Sequence, residues 1–150
     1  MPKDSLSFLA LGDSYTIGES VDPAQRWPVL LARALRERGI LVRDPTIVAR
    51  TGWTTDELAA AIPGADLQAR YDLVSLLIGV NNQYRGRDRE EYRVQFVELL
   101  ARAVAFAGGE PGRVVVLSIP DWGVTPFARG RDRESIGREI DAFNAVNREE

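Results

Sequence analysis

Three short segments carry residues that could perform acyl-transfer chemistry together. The first is Gly12-Asp13-Ser14-Tyr15, which supplies a serine hydroxyl. The second holds Gly52, next to Trp53, where a side-chain-free residue lets a backbone N–H come close to a substrate. The third is Gly79-Val80-Asn81-Asn82, whose amides are neutral hydrogen-bond donors suited to a developing oxyanion. A nucleophile with donors aimed at the carbonyl oxygen is the minimum that acyl transfer requires. Taken singly, each residue also reads as a turn or cap: serine and asparagine are common turn residues, and a lone glycine marks a tight bend. A serine hydroxyl near neutral pH also needs a base, most often histidine, and the 150 residues contain none.

The elements that must position these segments follow from the apolar pattern. Leu6–Leu11, Thr46–Ala49, Leu73–Ile78 and Val114–Ile119 read as strands, the third nearly continuous, as expected for a strand buried on both faces. Helix-like segments separate them. Ala24–Arg38 presents Trp27, Leu30, Leu31, Ala34 and Leu35 on one face and stops at Gly39. A second helix is capped by Thr54 or Thr55 and ends near Ile62, before Pro63-Gly64. Glu90 to about Ala107 forms a long third helix, and Ile136, Ile140, Phe143 and Val146 mark a last one. The alternation predicts a parallel α/β sheet covered by helices on both faces. The three chemical segments then share the carboxyl edge of the sheet, where open α/β sheets bind ligands.

Composition removes several classes of function. Nineteen Lys and Arg against 22 Asp and Glu leave a net charge of −3, so no basic excess points to nucleic acid. Without cysteine there is neither a disulfide framework nor a thiolate metal site, and no metal or other cofactor is expected. No apolar stretch approaches the roughly 20 residues that span a bilayer, and the start lacks a signal-peptide pattern. The expectation is a single cytoplasmic domain spanning residues 1–150.

In the order Gly12-Asp13-Ser14, Gly52 and Gly79-Val80-Asn81-Asn82, the sequence resembles the SGNH, or GDSL-type, hydrolase family of esterases and lipases. The resemblance implies a flavodoxin-like three-layer α/β/α sandwich that hydrolyses small acyl esters without a metal, and together with the alternating pattern it places the first strand between the second and third. It makes Ser14 the nucleophile, and gives the oxyanion hole to the Ser14 and Gly52 N–H groups and the Asn81 side chain. Asn82 stands where the family usually has aspartate. The family's fourth block, Asp-x-x-His after a fifth strand, is absent, and the last helix runs into Glu149-Glu150 without a stop signal. The sequence is therefore read as a domain lacking its last strand and helix, with low activity and a tendency to self-associate. The alternative is an acyl- or glycan-binding module of the same fold that does not turn its ligand over.

Asp13, Trp53, Asn82, Tyr84 and Trp122 are further candidates for contact with substrate, and Asp121 for orienting groups or capping. Arg85-Gly86-Arg87-Asp88-Arg89 reads as a solvated charge run that could draw in an anion. A flavin- or nucleotide-binding reading of the first loop fits poorly. Five residues rather than four separate Gly12 from Gly18, no lysine follows, and Asp13 and Glu19 would repel phosphate.

Overall fold

The computed structural model describes residues 4–150. Four strands, β1 (Phe8–Gly12), β2 (Thr46–Ala49), β3 (Leu73–Leu77) and β4 (Val114–Val116), form a parallel sheet in the order β2-β1-β3-β4. Among the described residues the α-helices are α1 (Ser14–Ile17), α2 (Trp27–Glu37), α3 (Thr55–Ala61), α4 (Val80–Tyr84), α5 (Arg89–Phe106) and α6 (Arg133–Glu149). The register aligns Gly12 with both Ala49 and Leu77, so the first three strands end level and their loops open side by side.

Side-chain alternation along β1 divides the interior into two layers. Leu9 and Leu11 face a large core with Leu58, Phe96, Leu99, Ile140 and Phe143, supplied by α3, α5 and α6. Phe8 and Ala10 face a smaller one with Ala32, Leu31 and Leu35 of α2. The sheet is thus sandwiched between helices, as the apolar pattern predicts, with α2 on one face and three helices on the other.

Two boundaries differ from the sequence reading. The segment at 24–38 splits into a 3₁₀ turn at Pro23–Gln25 and α2, because Pro28 can neither donate to nor pack against a preceding helical turn. The split rotates the face: Pro28 and Ala32 are buried with Leu31 and Leu35 half-buried, whereas Leu30 and Ala34 point to solvent. The fourth strand ends at Val116 rather than Ile119. Leu117 N still donates to Leu76 O at 3.0 Å, but Pro120 follows, and the Asn144 side chain of α6 takes over from the ladder. Ile119 N donates to Asn144 Oδ1 at 2.7 Å, and Asn144 Nδ2 donates to Ile119 O at 3.0 Å, both bonds buried. Asn144→Ala leaves two buried backbone groups without partners, each costing on the order of 1–3 kcal/mol, so urea denaturation is expected to show a loss of roughly 3 kcal/mol.

The end of α6 is anchored. Arg93 of α5 pairs with Glu149 and Glu150 at 2.8 Å each, which offsets the unfavourable placement of two acids at a helix C-terminus. Among the described residues no helix is long and apolar enough to cross a membrane, and no cluster of acidic side chains could hold a metal ion.

Candidate active site

Ser14 is the first residue of α1, directly after the strand that places it at the sheet edge. Asp13 caps this one-turn helix: its Oδ1 accepts from Tyr15 N at 3.0 Å. The Ser14 hydroxyl has no hydrogen-bond partner among the described residues, and it opens on a cavity of about 750 Å³ shared with Asn81, Tyr84 and Trp122. Four of the residues singled out from sequence therefore line one cavity. Gly52, Trp53, Asn82 and Asp13 do not line it but lie around it.

The second and third loops are tied together by α4. Asn81 Nδ2 donates to Trp53 O at 2.9 Å, which fixes the asparagine amide beside the peptide that follows Gly52. Arg85 donates to Gly52 O at 2.6 Å and to Glu57 Oε1 at 3.0 Å. Asn82 is buried with both ends of its amide on Thr55: Oδ1 accepts from Thr55 N at 3.1 Å, and Nδ2 donates to Thr55 Oγ1 at 2.9 Å. An aspartate there could accept but not donate, so the asparagine suits a threonine whose hydroxyl already donates to Gln95. Arg87 bonds Asp56 and Glu91 at 3.1 and 2.6 Å. Two arginines of the charge run, Arg85 and Arg87, thus hold the α3 N-terminus, while Arg85, Gly86, Asp88 and Arg89 remain exposed to solvent.

Two glycines in this region adopt backbone conformations that side chains resist. Gly52 has φ 90°. Gly79 has φ 129°, and a Cβ there would lie 2.6 Å from Ile119 Cδ1 and 2.9 Å from the Tyr92 hydroxyl. The chain can turn from β3 into α4, and deliver Asn81 to the cavity, because nothing projects from Gly79.

Electrostatically the site is defined by a buried acid. Asp13 has no exposed surface, and its Oδ2 has no hydrogen-bond partner. Burial pushes its pKa from 3.8 up to about 7, against the lowering effect of its backbone hydrogen bonds. Tyr15, on the cavity wall, is raised as well, first by burial and then by the nearby Asp13 and Asp121. Asp121 has the capping role: its Oδ1 accepts from Gly123 N at 2.8 Å.

Sequence reasoning did not single out Tyr15, Val80, Thr125 or Phe127 as cavity residues. Tyr15 and Val80 adjoin recognised motif positions and could have been found on that ground. Thr125 joins two 3₁₀ turns between β4 and α6 and Phe127 lies in the second, where no periodicity marks a direction.

Comparison with known proteins agrees with this architecture. TesA superposes with a TM-score of 0.70 at 23% identity, over 93% of this chain and 69% of TesA. AlinE4, an SGNH-hydrolase family esterase, gives 0.68 at 23% identity over 95% and 70% of the two chains. The lipase/acylhydrolase from Enterococcus faecalis gives 0.69 at 19% identity over 94% and 70%. At these identities the likeness speaks for the fold. No curated protein sequence matches the chain. The model of the GDSL-like lipase/acylhydrolase family, however, matches residues 10–150. The chain belongs to that family.

Proposed function

We propose that this chain is a serine ester hydrolase domain. Ser14 attacks the acyl carbonyl, while its own N–H, the Gly52 N–H and Asn81 Nδ2 stabilise the oxyanion. The observation that carries this reading is the meeting of three loops at one place. Ser14 and Asn81 line the same cavity, and Asn81 is hydrogen-bonded to the residue after Gly52. One Nδ2 hydrogen is held by Trp53 O, leaving the other for a substrate oxygen.

Attack forms a bond from Ser14 Oγ to the carbonyl carbon and moves the carbonyl electron pair onto oxygen. Collapse expels the alcohol and leaves an acyl-serine, which water then hydrolyses. The donors act because their positions are fixed before charge develops. The ties from Asn81 and Arg85 to the second loop provide that fixation. Each half-reaction also needs a proton acceptor. No histidine is present in the 150 residues, so turnover by these residues alone is slow.

Asn81→Ala removes one oxyanion donor. It is expected to lower kcat for p-nitrophenyl acetate by roughly 10²–10³ in the presence of a base, with KM little changed. An unchanged kcat would remove Asn81 from the oxyanion hole.

A further inference from the structure

β4 is the outer strand of the sheet, and its free edge carries none of the charges or prolines that keep other strands away. No charged residue and no proline occurs from Val114 to Ile119. In a parallel pair, the backbone groups of alternate residues face the neighbouring strand. Leu117 N donates to Leu76 O, and Val115 pairs with Ser75, so the groups of residues 115 and 117 face β3. Those of Val114, Val116 and Ser118 therefore face outward. Val114 N is taken by Pro111 O, whereas the backbone groups of Val116 and Ser118 have no partner among the described residues.

The sheet face beside this edge is open as well. Val114 and Val116 pack on the large core beneath α5 and α6. Val115 and Leu117 point the other way, onto the α2 side. There they line an open cavity of about 270 Å³ with residues of β1, α2 and β3, among them Phe8, Trp27 and Ser75. Apart from the buried Ser75, the side chains of its wall are apolar. α2 covers β1 on this side but leaves Val115 49% exposed. Parallel sheets are normally covered on both faces.

We infer that β4 pairs antiparallel with β4 of a second copy across a two-fold axis at Val116, joining the two sheets into one. The register follows from the edge. Outward-facing residues must lie opposite one another, and a symmetric pair must place one of them opposite itself. Centring on Val114 runs into the 3₁₀ turn at Pro111–Arg113, and centring on Ser118 runs into Pro120. Val116 remains, with Ser118 opposite Val114 of the second copy. Val115 then faces Leu117 of the second copy, and this apolar pair occurs twice on the α2 side. Charge is complementary at the two ends. Arg148 lines a cleft with Val116 and Ser118 and has no ion pair among the described residues. The pairing carries it towards the Val114 end of the second copy, where the Glu110 side chain is 58% exposed.

Sedimentation equilibrium of the 150-residue chain is expected to show a monomer–dimer equilibrium. Val115→Lys, at an exposed position, is expected to raise the dissociation constant at least about tenfold, with an unchanged circular dichroism spectrum. Single cysteines read the register against a background that contains none. Val116→Cys is expected to form a disulfide-linked dimer on oxidation, because directly opposite Cα atoms lie about 5.5 Å apart. Ser118→Cys is expected to cross-link little, although Ser118 is the more exposed of the two. Symmetry separates its two copies by roughly 13 Å along the strands, beyond the reach of a disulfide. A chain that stays monomeric at all concentrations would overturn the proposal, and is the result expected if a small ligand or another peptide covers this face. So would association indifferent to Val115→Lys, or Val116→Cys cross-linking no better than Ser118→Cys, which marks unspecific aggregation.

Discussion

Imidazole added to the assay is expected to separate the wild-type chain from its Ser14→Ala variant, by roughly 10²-fold or more in p-nitrophenyl acetate hydrolysis. In buffer alone the two are expected to agree within about tenfold. The reason is non-additivity: on the proposed reading a serine without its base contributes little, so removing it costs little, and the residual rate comes from the proposed oxyanion donors and from binding. The 150 residues hold no histidine, and the Ser14 hydroxyl has no hydrogen-bond partner among the described residues. Imidazole can enter a cavity of about 750 Å³ and take the proton in place of a tethered ring. The measurement is the difference between the two proteins at each imidazole concentration, which cancels the reaction of imidazole with the ester in solution. If the wild-type chain outran Ser14→Ala by 10² without imidazole, a base would have to lie within these residues. Asp13, raised to about 7, would be the first to examine.

Asp13→Asn is expected to stabilise the protein at pH 8 and to leave it unchanged near pH 4. Unfolded, Asp13 releases its proton near the ordinary 3.8. Folded, burial holds the proton until about pH 7. The folded state therefore binds more protons between those values. The stability this provides is fully present below about pH 4, falls as pH rises, and is gone above about pH 7. The difference corresponds to roughly 4 kcal/mol. Asparagine has the shape of the protonated acid and can still accept from Tyr15 N, but it carries no charge to desolvate. Urea unfolding at a series of pH values should show the two proteins converging in acid and diverging by roughly 3–4 kcal/mol in base. Parallel curves would mean that Asp13 ionises normally in the folded protein.

Most of the sheet was legible because its residues obey a local rule. Buried parallel strands require nearly continuous apolar runs, and β1, β2 and β3 fall within a residue or two of where those runs lie. Their order was legible through the alternating pattern together with the family resemblance. The shortening of β4 was hidden because its cause, Asn144, lies 25 residues further on. Side-chain replacement of a strand ladder leaves no periodic trace. The short helix α4 was missed for a similar reason: five residues are too few to show a face. That Ser14 and Asn81 meet at one edge of the sheet could be read from motif and position. The burial of Asn82 could not, since polar asparagine at a strand end looks the same whether it faces a ligand or a threonine. The aromatic residues lining the cavity were half legible, with Tyr84 and Trp122 in the segments that follow strands and Phe127 concealed in an irregular stretch.

The ties between the second and third loops also bear on how this fold can be re-engineered. Asn81 and Asn82 of α4 and Arg85 at its C-terminal cap bond Trp53, Thr55 and Gly52 in turn. A donor loop grafted over residues 50–55 alone would arrive without its fasteners and would leave three amide or guanidinium groups seeking partners. The transplantable module is the pair, residues 50–57 together with 79–87, carried as one cassette onto a scaffold whose strands end level.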